Sequence, residues 1–147
     1  MRLGWLVATV LLVSSCTDPV PLTAAVQTAA TQDVAVGGRA QLVVQVTNTG
    51  PPIPHLGLVF RTADKWYEHH AVSDLGGCTV APDASAFDCG DIGAGETASF
   101  TIVGTAKDAG TFHYEVALRE LVRPFDYVND HPAGPDLQMW DETIKPS

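Results

Sequence analysis

Gln41-Leu42-Val43-Val44-Gln45-Val46-Thr47-Asn48-Thr49-Gly50-Pro51-Pro52 is the stretch that decides the architecture of this chain. Leu42, Val44 and Val46 alternate with Gln41, Gln45 and Thr47, which is the two-residue period of a strand with one face on a core and one in water. The run then stops abruptly. Asn48 and Gly50 accept backbone conformations closed to most residues, and Pro51 and Pro52 have no N–H to offer a ladder.

The same period recurs on both sides. Leu22, Ala24 and Val26 predict a first strand, and Val34-Ala35-Val36 before Gly37-Gly38 predicts a short edge piece. Further on, Leu56, Leu58 and Phe60 alternate with Gly57 and Arg61, and Ala98, Phe100 and Ile102 with Ser99 and Thr101. Phe112, Tyr114, Val116 and Leu118 alternate with His113, Glu115 and Arg119. Leu137 to Ile144 predicts a last strand with Met139 on one face and Trp140 on the other, and periodicity leaves open which face is buried. Gly93-Ala94-Gly95 and Asp108-Ala109-Gly110 make turns between strands, and no run has helical spacing. Short strands so spaced predict an all-β fold over residues 22–147, an immunoglobulin-like antiparallel β-sandwich of about seven strands rather than a barrel. Leu121 to Asp136 breaks the rhythm with Pro124, Pro132 and Pro135, and predicts a long connection that is either functional or flexible.

The N-terminus carries an address. Arg2 supplies a positive start, Leu3 to Val13 an apolar stretch too short to cross a bilayer, and Val13-Ser14-Ser15-Cys16 the small residues of a cleavage point. Those four residues resemble the lipobox of bacterial lipoproteins, in which the cysteine thiol takes a diacylglycerol and becomes the new N-terminus. The resemblance implies a lipoprotein signal peptide over 1–15 and a lipidated tether over 16–21 attached through Cys16, at the cell membrane on its extracytoplasmic side. An ordinary secretory signal cut nearby is the alternative reading, and both place the protein outside the cytoplasm.

Composition narrows the partners. The chain has 17 acidic and 8 basic side chains, a formal charge of -9, which repels nucleic acid and leaves no polybasic segment for anionic lipid. Membrane attachment must then come from acyl chains on Cys16. With Cys16 assigned to lipid, the 3 cysteines reduce to Cys78 and Cys89, which predicts a disulfide in an oxidising compartment. No second Cys or His pair stands at zinc-ligand spacing.

Val46-Thr47-Asn48-Thr49-Gly50-Pro51, the two later cysteines, Ile92-Gly93-Ala94-Gly95-Glu96-Thr97 and Gly110-Thr111-Phe112 together resemble the immunoglobulin-like domains of bacterial surface proteins, the conserved-repeat and CARDB kinds. The likeness runs from about residue 22 to 144. It implies that the strand ending in Asn-Thr-Gly-Pro is the second of the sandwich, that the cysteines brace a hairpin, and that the Gly-x-Gly-Glu turn leads to a strand on a sheet edge. Those domains usually occur in tandem, whereas here one copy stands alone, which argues against a passive spacer.

Chemistry is sparse. No Ser or Cys sits in the context of an activated nucleophile, and no acid, base and nucleophile come together, so the chain is expected to be non-catalytic and without cofactor or metal. In Tyr67-Glu68-His69-His70 the two histidines would point to opposite faces of a strand, and they read as a solvated loop pair. Asp126, Asn129, Asp130 and Asp136 offer oxygen ligands, though not at EF-hand spacing. The first expectation is a lipid-anchored module for protein or cell-surface binding, its contact surface drawn from Trp66, Tyr67, His69, Asp126, Asn129 and Asp130. The alternative is a calcium-binding or accessory subunit of a cell-envelope complex.

Overall fold

The computed structural model describes residues 24–61, 64–80, 86–122, 126–128 and 137–147. Two sheets face one another. One has four strands in the order β1 (Ala24–Ala30), β3 (Arg39–Asn48), β8 (Thr97–Ala106) and β5 (His70–Asp74). The other has seven, running β2 (Asp33–Ala35), β11 (Leu137–Lys145), β9 (Gly110–Val122), β4 (Leu56–Phe60), β7 (Ala86–Asp88) and β6 (Thr79–Val80), with β10 (Asp126–Val128) paired to β9.

The expected sandwich is therefore present, and the alternating residues line its core. Leu42, Val44, Val46 and Ile102 from one sheet meet Leu56, Leu58, Phe60, Tyr114, Val116 and Leu118 from the other, all buried. Trp140 is the half-buried member of its pair and packs against this core, while Met139 is 59% exposed.

Three details depart from the sequence reading. The described residues hold eleven strands rather than about seven, because β2, β6, β7 and β10 have only two or three residues each, too few to display a period. The β2 piece pairs in parallel with β11, so the fold is not wholly antiparallel. The strand after the Gly-x-Gly-Glu turn is also no edge: β8 lies between β3 and β5, with both flanks hydrogen-bonded.

The two turn motifs turn out to be one structure. Asn48, 1% exposed, donates from Nδ2 to the carbonyls of Pro51 (2.7 Å) and Gly93 (3.1 Å), and its Oδ1 accepts the Gly50 N–H at 2.9 Å. Its backbone bonds Gly95 and Glu96, and Gly95 takes the positive φ of 74° that lets the chain double back. One buried amide thus satisfies the backbone of two turns that lie 45 residues apart.

Candidate functional site

After Phe60 the chain crosses from the seven-stranded to the four-stranded sheet, and it does so through a single helical turn, α1 (Trp66–His69). The turn starts with the Glu68 carboxylate reaching back to accept the Lys65 N–H at 3.3 Å. It ends where His70 returns to extended φ and opens β5. Four consecutive side chains are thereby fanned around a helix, and each meets different surroundings.

Trp66 goes inward. It was expected on a binding surface, but it is fully buried and stacked on His70 at 4.1 Å and 13°. Gly104 of β8 makes this possible, since a Cβ there would lie 3.1 Å from the Trp66 ring and 3.0 Å from the His70 Cβ. His70 is also fully buried, which corrects its reading as a solvated loop residue. Its Nδ1 faces the Trp66 carbonyl at 2.8 Å, so that nitrogen must carry a proton. The other nitrogen lies 3.2 Å from Glu142 Oε1, and both side chains have no exposed surface. The pair ties β5 of one sheet to β11 of the other.

Polar groups around this pair are tightly enclosed. Tyr114 Oη, Glu142 Oε2 and the indole nitrogens of Trp66 and Trp140 are buried without a hydrogen-bond partner. Burial first, then the charges of Glu142, Asp64 and Asp108, pushes the Tyr114 hydroxyl far above its usual pKa and keeps it protonated.

His69 takes a different side from His70, but as the last residue of a helical turn and not, as expected, from a strand. Its ring stacks on Phe112 at 3.8 Å and lies between Asp64 (3.6 Å) and Asp108 (3.5 Å). Each carboxylate meets a different ring nitrogen. Among the described residues no three His, Cys, Asp or Glu side chains gather as a metal site.

Tyr67 reaches an open cleft of about 390 Å³ between β5 and the β6–β7 hairpin. Val72, Ser73, Asp74, Leu75, Val80 and Phe87 complete its lining. Tyr67 and Phe87 lie 5.8 Å apart in the cleft, and the buried Phe60 packs behind both with centroids at 5.5 and 5.4 Å. Val80 stands at the rim, 48% exposed. Cys78 and Cys89 are disulfide-bonded and close the hairpin, as predicted. Among the described residues its lining holds one carboxylate, Asp74, which accepts the Gly76 N–H at 2.8 Å.

The remaining expected site residues divide simply. Asp126 begins β10, and Asn129, Asp130 and Cys16 lie outside the described residues. Val72, Leu75, Val80 and Phe87 were not foreseen as site residues, because only the meeting of two sheet margins brings them together.

No protein-family model and no curated protein sequence matches the chain. In shape it is similar to the CARDB domain of a Pyrococcus furiosus protein crystallised in complex with di-metal ions, with a TM-score of 0.52 and 12% identity. That alignment covers 86% of this chain and 96% of the other. The fold is a CARDB-like β-sandwich. A family 123 glycoside hydrolase from Clostridium perfringens aligns more loosely, with a TM-score of 0.45 and 10% identity over 86% of this chain and 27% of that one, and has no bearing on function. In the CARDB-like frame described here, the cleft opens along one side, where β5 and the β6–β7 hairpin are the margins of the two sheets.

Proposed function

We propose that the chain is a lipid-anchored extracytoplasmic immunoglobulin-like domain that acts by non-catalytic binding of a protein or cell-surface partner, with the Tyr67 cleft as its contact. The observation that carries this reading is the cleft itself, apolar along most of its lining, with the rings of Tyr67 and Phe87 in it and Phe60 packed behind both. Large rings at the base of a partly open pocket are the kind of anchor point on which protein contacts concentrate their energy. The anchor rests on Val13-Ser14-Ser15-Cys16.

Each half has its own test. Fatty-acid labelling of the chain in a bacterial host should be lost on Cys16→Ala, and unchanged labelling removes the anchor. For the cleft, partners cross-linked to the full chain on intact cells are identified, and capture is compared between Tyr67→Ala, Val80→Asp and a Met139→Ala control on the far face. Loss in the first two alone, with the melting temperature held, supports the cleft; equal capture by all three removes it.

A further inference from the structure

Among the described residues five strands have a single partner, and four of them are blunted against further pairing. The β5 strand has a register break between Val72 and Asp74, β6 is two residues long, β10 is three, and β2 has three residues with Asp33 in an ion pair to Lys145 at 3.2 Å. The β1 strand is different. Its seven residues, Ala-Ala-Val-Gln-Thr-Ala-Ala, pair with β3 through an unbroken register, and it contains no charge, proline or bulge. Among the described residues β3 is its only strand partner, so the N–H and C=O of every second β1 residue point away from the sheet.

Charge marks the same region. The outward positions of β1, β3 and β8 include no carboxylate and one cation, Arg39, on a chain of net charge -9. The outer face of β9 and β11 instead carries His113, Glu115 and Asp141. Two copies of so acidic a chain repel one another over most orientations, and the described outward positions beside the β1 margin oppose no carboxylates to one another.

From these observations we infer that β1 is a homotypic docking edge, at which a second copy of this chain adds its own β1 antiparallel across a two-fold axis centred on Gln27. The strand reads nearly the same from either end about that residue. In that register Ala24 faces Ala30 of the second copy, Ala25 faces its Ala29, and Val26 faces its Thr28, which has nearly the same shape. Every pair is small or shape-matched, and none is charged. The isologous contact closes on itself, giving a dimer rather than a filament, with the two four-stranded sheets joined into one. Ala24, Val26 and Ala30, which are only partly buried, gain cover from the partner's equivalents.

The test is a charge swap at exposed positions of β1, read by sedimentation across a concentration series on the full chain. Wild type should move from monomer toward dimer, and more readily as salt screens its net charge. The A25K/A29K variant sets like charges opposite each other twice across the axis and should weaken association by roughly 2- to 30-fold. The A25K/A29E variant sets opposite charges at the same places and should restore it. A wild type that stays monomeric throughout overturns the inference. So does a dimer indifferent to A25K/A29K, which belongs to another surface, or a failure of A25K/A29E to recover, which excludes this register. Unchanged melting temperatures show that the variants remain folded.

Discussion

Trp66 and Tyr67 are adjacent in sequence, yet one is fully buried and the other lines an open cleft. A helical turn rotates each successive side chain by roughly 100°, so two neighbouring aromatic residues need not share surroundings. His69 and His70 separate in the same way, one beside surface carboxylates and one against Glu142. At the surface, His113 offers a titration to measure. Its Nδ1 lies 2.7 Å from Asp141, and that hydrogen bond, with the nearby charges of Asp141 and Glu115, holds its pKa above the ordinary value of 6.5 despite some desolvation. Because the folded value is raised, the stabilisation is fully present below 6.5 and is lost as pH rises through the folded value. An NMR titration of the imidazole C–H signals should show the Asp141→Asn variant returning toward 6.5; an unmoved midpoint assigns the shift to something else.

Among the elements, the long strands were legible and the short ones were not. The ten residues of β3 and of β8, and the thirteen of β9, repeat their apolar period often enough to be recognised. The β6–β7 hairpin has a two-residue and a three-residue arm, and its disulfide was the clearer signal. Linking residues 11 apart stabilises the fold by about 3 kcal/mol in the chain-entropy model. Cys78→Ala with Cys89→Ala should therefore lower unfolding free energy by about that amount in urea titrations. Since the hairpin forms one wall of the cleft, partner capture should fall with it; full capture by this variant would place binding elsewhere.

Across the whole molecule, among the described residues, the sheets are joined by apolar packing and by a fully buried polar tie, His70 to Glu142. Removing one member leaves the other without its hydrogen-bond partner in the core, so His70→Leu alone should cost about 1–3 kcal/mol. The double change of His70 and Glu142 to Leu should recover a large part of that, because no polar partner is then left unsatisfied in the core. Thermal and denaturant unfolding of the two variants decides it, and equal losses would mean that the side chains contribute separately.

Alternation and turn chemistry were enough, from the residues alone, to establish a layered all-β fold and its principal core positions. They work because a strand's two faces are written locally, one residue at a time. The buried His70–Glu142 pair spans 72 residues of sequence, and the Tyr67 cleft collects residues from the margins of both sheets. Neither arrangement has a local period, so only the packing of one sheet on the other could bring those side chains together.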